Sequence, residues 1–371
     1  MLTYNSISRH RAAAGRIPVR VWKSINAALL IVCLLLISAS AFAEPVEITD
    51  DTGRTLSFEK PLERVVVFNR YNAEFVRAVG GMKIIVGVDS WVTRDPTYWP
   101  DLQDNMLVGT GQREPNYEAI IALEPDVVIF PRNGAWEEAI DTLKPFDIPV
   151  VVLTGWDVLK HVSNIDAFGK MFGKPERAEK LNAFYTEHIS LLKERLSGVD
   201  TRKVYLEEKT PFRSVLQGSG WHDMIEAGGG RNIFEAIDIG TQPRERGTVH
   251  NFEIDPEAIL VAKPDLVVKL QPGSYPLHPA EFSDTFFQEF AARPGIDEVP
   301  AMGTGSVYHM NYYLAGGCSK MIGALAIAKW LYPDRFEDVD PDAVMKTWLE
   351  DFQGVSYPGR YWTRITEAEG R

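Results

Sequence analysis

Cysteine is nearly absent: Cys33 and Cys318 are the only two in 371 residues. Once a removable leader containing Cys33 is set aside, one thiol remains, which excludes an intramolecular disulfide and a cysteine-based metal cluster. The fold must therefore rest on its hydrophobic core. Histidine is scarce as well, seven residues in all, with no pair at the three- or four-residue spacing that sets two imidazoles on one helix face and no histidine-rich loop. Walker, Gly-x-Ser-x-Gly and His-Glu-x-x-His motifs are missing, which removes the common signatures of nucleotide hydrolysis, serine acyl transfer and zinc proteolysis. Gly218-Ser219-Gly220 lacks the nucleophile spacing and reads as a turn into a helix, with Ser219 near its cap. Positive charge is the third shortage: 39 Lys and Arg stand against 51 Asp and Glu, a formal charge of -12, which speaks against non-specific nucleic-acid binding.

The apolar stretch at residues 27–37 is shorter than the ~20 residues that cross a bilayer. It follows a basic start carrying Arg9, Arg11, Arg16, Arg20 and Lys23 with no acid, and it precedes the small-residue pattern Ala41-Phe-Ala43. That is the three-part layout of a secretory signal, so residues 1–43 are expected to be cleaved on export. Val32 stands where a lipid-attachment signal resembling the bacterial pattern carries a small residue, so Cys33 reads as filler. Removal leaves 34 basic against 51 acidic residues, a formal charge of -17.

Two stretches of the remaining chain say nearly the same thing. Glu118-Ala-Ile-Ile-Ala-Leu-Glu-Pro-Asp-Val-Val-Ile129 and Glu257-Ala-Ile-Leu-Val-Ala-Lys-Pro-Asp-Leu-Val-Val268 share six of twelve positions. Each reads as a short helix, a Pro-Asp turn and a buried strand, one half-turn of an α/β unit. Two copies predict two lobes. The first is expected to open on a hairpin at 46–56 and to hold strands near 64–68, 84–88, 126–130 and 149–153, with helices at 73–79 and 137–143. From Pro175 to Gly198 apolar residues recur at three- and four-residue spacing, which predicts one long helix with proline in its first turn. The second lobe repeats the grammar with strands at 203–207 and 306–310 and helices at 221–227 and 318–331. The expected fold is therefore α/β, two lobes each with a mostly parallel sheet flanked by helices, joined by one long rigid α-helix: a first lobe at 44–173, the linking helix at 174–198 and a second lobe at 199–371.

Open α/β sheets bind ligands at the loops that follow the carboxyl ends of their strands. Here those loops gather arginine and aromatic residues: Arg70 with Tyr71, Trp91 with Arg94, Arg113, Arg132 with Trp136, and Trp156 in the first lobe; Arg213, Arg246, Tyr275, Tyr308 and Tyr312 in the second. Arginine offers a planar donor fork to oxyanions, and aromatic rings stack on flat guests or shield a metal chelate. That combination in an acidic protein suits a large, flat, anionic guest. Direct metal ligation is the competing chemistry, with His250 and His309 as candidate ligands beside Tyr308, Tyr312 and Tyr313.

The leader, the two lobes, the long helix, the paired Glu-to-Pro-Asp phrases and the run Trp221-His-Asp-Met-Ile-Glu-Ala-Gly-Gly-Gly-Arg-Asn-Ile-Phe234 together resemble the periplasmic substrate-binding proteins of ABC importers for ferric siderophores, cobalamin and haem. The resemblance implies a monomeric periplasmic receptor, not an enzyme and without a cofactor, whose guest lies in the groove between the lobes. It implies a metal chelate as cargo, a ferric siderophore first. Cobalamin, haem, a bare metal ion or an oxyanion such as molybdate or tungstate remain alternatives, with an enzyme acting on a chelate more remote. It gives Arg113 special weight, because siderophore binders of this family often present a contact residue in that loop. It also implies that Glu118 and Glu257, one per lobe, meet arginines of an inner-membrane permease dimer.

Overall fold

The computed structural model describes residues 45–368 apart from Ser274; the expected leader, with Cys33, lies outside them. Strands β1 (Val46–Thr49) and β2 (Thr55–Phe58) pair as an antiparallel hairpin. The first lobe then alternates strand and helix: β3 (Val65–Val67), α1 (Arg70–Val79), β4 (Ile85–Val88), a small ribbon of β5 (Gly109–Gly111) and β6 (Glu114–Pro115), α2 (Tyr117–Ala122), β7 (Val127–Phe130), α3 (Trp136–Leu143), β8 (Val150–Val152) and α4 (His161–Met171). Its sheet runs β4-β3-β7-β8, parallel throughout. All of β3, β7 and β8 is buried, as β-branched runs covered on both faces must be.

The linking helix α5 (Pro175–Arg195) has Pro175 at its first position and buries Ala178, Leu181, Phe184, Tyr185 and Leu192. The second lobe follows with β9 (Arg202–Glu207), β10 (Arg213–Ser214), α6 (Gly220–Ala227), β11 (Gly230–Asn232), β12 (Gly247–Thr248), β13 (Asn251–Glu253), α7 (Pro256–Ala262), β14 (Leu266–Gln271), α8 (Ala280–Ala291), β15 (Val307–Asn311), α9 (Lys320–Leu331), α10 (Pro341–Thr347) and β16 (Trp362–Arg364). Strands β11, β9, β14 and β15 are parallel, while β10, β12, β13 and β16 add antiparallel edges. The sheet is thus more mixed than expected, because its edge strands are two or three residues long and carry no readable period. Helices α4 and α8 were also not anticipated; neither has a side-chain cap to mark its start. Among the described residues no helix is long and apolar enough to cross a membrane.

The sequence repeat is a structural repeat. Glu118 and Glu257 each take the second position of their helices, α2 and α7, behind the capping side chains of Asn116 and Asp255. Each helix is followed by a left-handed residue, Glu124 at φ 44° and Lys263 at φ 51°, then by Pro-Asp. The aspartates do the same work in both lobes. Asp126 Oδ2 accepts from the backbone N–H of Arg64 at 2.9 Å and Asp265 Oδ2 from that of Lys203 at 2.8 Å, each tying the start of one strand to its neighbour. One constant shift in numbering also carries the pair Val65–Val127 onto Val204–Leu266.

The lobes are joined by more than α5. One apolar cluster runs from Val65 and Phe75 through Tyr185 to Leu325, Trp348 and Tyr361. Tyr185 donates to the Cys318 carbonyl at 2.6 Å, Arg77 Nε to Gln353 Oε1 at 2.8 Å and Lys320 Nζ to the Trp156 carbonyl at 3.0 Å. At Gly317, φ 50°, a Cβ would lie 1.9 Å from a ring carbon of Tyr71, so the halves meet where only glycine fits.

Candidate functional site

At the carboxyl ends of the parallel strands the lobes enclose a cleft of about 1090 Å³. Its floor is organised by Asp89, fully buried at the end of β4, which accepts from the backbone N–H of Asn69 at 2.5 Å and of Trp91 at 2.8 Å. Burial raises its pKa. Asn69 holds φ 76°, a conformation costly for a non-glycine residue, and caps α1 by accepting from Tyr71 N at 3.0 Å. That cap starts the helix at Arg70, three residues before the expected start, and fixes Arg70 and Tyr71 on its first turn. Asn69 Nδ2 donates to Gln112 Oε1 at 2.8 Å, Gln112 Nε2 to Asn133 Oδ1 at 2.7 Å and Arg113 Nε to the Asn133 carbonyl at 3.0 Å, so a chain of amides sets the spacing of three strand-end loops.

The cations of the cleft rest on aromatic faces. Arg70 lies 4.9 Å from the ring centroids of both Tyr71 and Tyr313. Arg94 lies 3.2 Å from that of Trp91, itself 53% exposed at the mouth, and Lys209 Nζ lies 4.5 Å from that of Tyr312. None of these three cations forms an ion pair among the described residues, and Arg70 Nε is buried without a hydrogen-bond partner. Arg70, Tyr71, Trp91, Arg94, Arg113 and Tyr312, all expected from the sequence, line this one cavity.

The other sequence candidates lie elsewhere, most of them with partners of their own. Arg132 pairs with Asp157 at 2.8 Å and its carbonyl accepts from Trp136 Nε1 at 3.1 Å. Arg213 pairs with Glu253 at 3.0 Å, and Arg246 donates to the Glu253 carbonyl at 2.7 Å. Trp156 packs edge-on to Tyr71 behind the cleft. Tyr275 is buried with its hydroxyl on the Ser356 carbonyl, and Tyr308 stacks on Trp330 at 3.9 Å. The two histidine candidates are also apart from the cleft. His250 Nδ1 is 3.0 Å from Ser219 Oγ; His309 lies buried beside Ser283, and burial first, then Lys269, pushes its pKa down to about 3. No group of three or more His, Cys, Asp or Glu among the described residues is placed to hold a metal ion.

The cleft also holds two carboxylates that were not singled out, Asp89 and Asp95, beside Gln112, Lys209 and Tyr313 from the strand-end loops. Asp95 Oδ2 accepts from Tyr313 Oη at 2.9 Å and from the Tyr275 backbone N–H at 2.7 Å, a bond from the first lobe to the second. Burial raises the pKa of the Tyr312 and Tyr313 hydroxyls, leaving both as donors at neutral pH. Glu118 and Glu257 are exposed, one on each lobe.

A two-lobed α/β binding protein with a polar-aromatic cleft is what this fold and site define. The profile of the family described as Periplasmic binding protein matches residues 65–314, and the chain belongs to that family. It is 28% identical to the Molybdate-binding protein MolA of Haemophilus influenzae, over 89% of this chain and 97% of that one. It is 27% identical to the Vitamin B12-binding protein of Salmonella paratyphi A, over 54% and 72%. Among solved structures, the TroA-like Periplasmic Binding Protein FepB from Veillonella parvula superposes with a TM-score of 0.72 at 26% identity, covering 86% of this chain and 99% of that one. The protein is thus a periplasmic binding protein of an ABC import system; its relatives are binding proteins rather than enzymes, and what such proteins hold is cargo, not a cofactor.

Proposed function

We propose that the protein is exported by a cleavable leader at residues 1–43, captures an anionic metal chelate between its lobes as a monomer, a ferric siderophore first, and hands it to an ABC permease. The observation that carries this reading is that Arg70, Arg94 and Lys209 are held by ring faces and not by carboxylates. A ring face fixes a cation but leaves its N–H donors free for an incoming oxyanion, whereas an ion pair would occupy them. The cavity volume, about 1090 Å³, lies just above the roughly 300–1,000 Å³ typical of sites for whole organic ligands, and Trp91 offers a flat surface to match.

A second reading, a bare oxyanion such as molybdate, is favoured by the likeness to MolA along most of the chain and by the orphaned Nε of Arg70. Purification from the native periplasm followed by mass and metal analysis separates the two. Iron with an organic chelator is expected; molybdenum or tungsten alone would overturn the chelate assignment.

Glu118 and Glu257 are assigned to permease docking. Their equivalent places at the exposed starts of α2 and α7 support this, since two carboxylates on lobes fastened to each other make a bivalent key. The double reversal Glu118→Lys/Glu257→Lys is expected to abolish uptake in cells while calorimetry finds the purified receptor's affinity unchanged. Lost affinity in that variant would sink the docking role.

A further inference from the structure

The shift in numbering that carries Glu118 onto Glu257 also carries Arg70 onto Lys209, Phe68 onto Glu207 and Phe130 onto Lys269. Each lobe therefore offers the cleft one cation from the same place in its repeat. What lies beneath the two cations differs. In the first lobe Phe68 and Phe130 stack with centroids 4.2 Å apart, and the chain beyond β3 enters α1 at once, where the Asn69 carbonyl accepts from Ala73 N at 3.0 Å. The helix satisfies that backbone. In the second lobe the chain beyond β9 turns back into β10 with Phe212 at φ 58°, and no helix is there to use the carbonyls of the turn.

Lys269 takes that part. Although only 6% exposed and set between Val268 and Leu270 in strand β14, it uses all three ammonium donors, to Glu207 Oε1 at 2.9 Å, the Glu208 carbonyl at 2.6 Å and the Lys209 carbonyl at 2.9 Å. Arg293 closes the other side of Glu207 with bonds of 2.7 and 3.0 Å, so the buried charges are paired and hydrogen-bonded, as burial demands. From the fastened turn the Glu208 carboxylate accepts from Tyr312 Oη at 2.6 Å, and the Lys209 ammonium lies over the Tyr312 ring.

We infer that Lys269, buried beneath the cleft, is a positioning residue for the second lobe's half of the anion site: it holds the turn that aims Lys209 and, through Glu208, Tyr312 at the guest. The inference rests on the anionic-guest reading for its effect on affinity, and on geometry alone for the fastening of the turn.

Two measurements test it. The first is binding of two probes, the iron(III) complex of 2,3-dihydroxybenzoate and molybdate, to the wild type, Lys209→Met, Lys269→Met and the double variant. The second is amide hydrogen exchange over residues 208–213 without any probe. Each single variant is expected to weaken binding of the probe that the wild type accepts by about tenfold, the scale of one charge-assisted hydrogen bond. The double variant is expected to lose no more than either single one, because a misplaced Lys209 contributes nothing further. A purely structural role for Lys269 would give independent losses that multiply, and that outcome overturns the inference. Exchange at 208–213 is expected to quicken at least ~10-fold in Lys269→Met and not in Lys209→Met; unchanged exchange also overturns it. Where Lys269→Met does not fold, Glu207→Gln/Lys269→Met removes both charges together and is read against the same expectations. If the wild type binds neither probe, the anionic-guest reading fails, and the exchange result alone decides whether Lys269 holds the turn.

Discussion

Arg70→Met is expected to weaken binding of a ferric catecholate by about 100-fold, measured by calorimetry. The side chain sits between two tyrosine rings and its guanidinium makes no ion pair among the described residues, so the guest's oxygens find donors that no carboxylate already uses. Hydrogen bonds to a charged group are worth roughly 1.5–3 kcal/mol, and each 1.4 kcal/mol is tenfold in affinity. Arg70→Lys should recover only part of the loss, because an ammonium lacks the planar fork. The control is Arg132→Met, which removes a cation already paired with Asp157 outside the cleft and should change affinity less than twofold. Equal effects at the two positions would show that net charge, and not the ring-held guanidinium, recruits the guest.

The largest effect on stability is expected at Glu207. Its carboxylate receives Lys269 and Arg293, the Tyr205 hydroxyl at 2.6 Å and the Phe212 backbone N–H at 3.1 Å, with no exposure of its own. Glu207→Leu leaves the buried Lys269 and the partly buried Arg293 without a counter-charge, a class of change that costs about 3–5 kcal/mol; urea denaturation reads it as a lowered midpoint. Burial acts to raise the Glu207 pKa, but Arg293 and Lys269 outweigh it, and the folded value falls below the ordinary 4.5. The stabilisation is therefore complete above pH 4.5 and is lost as pH falls through the folded-state value, so the gap between wild type and variant should close on acidification. A gap that stays constant through that range would refute the assignment.

The order of elements was legible because the parallel strands carry mostly β-branched apolar runs and because the Pro-Asp repeat marks the same joint twice. The antiparallel edges were not, since two residues carry no alternation. In the cleft, the strand-end rule found Arg70, Trp91, Arg94, Arg113 and Tyr312, but it could not tell a free cation from an occupied one. Arg132 and Arg213 have the same local setting in sequence; their carboxylate partners come from residues 25 and 40 positions away. Tyr308 and His309 were placed by proximity to Tyr312, yet they lie within β15, and only residues beyond its carboxyl end reach the cleft. Asp89 and Asp95 went unnoticed because a search for an anion site looks for positive charge, whereas their task is to accept from the backbone and hydroxyl groups that shape it. Lys269 did leave a trace, a lone charge inside the run Leu-Val-Val-Lys-Leu.

The bonds that cross between the lobes, from Asp95 to Tyr275 and Tyr313, from Lys320 to Trp156 and from Tyr185 to Cys318, have a consequence in time. If those fastenings hold while an anionic guest enters, scattering profiles with and without it are expected to coincide, and its arrival to be governed by diffusion and by the attraction of the ring-held cations. Discrimination among guests then falls on how long each one stays.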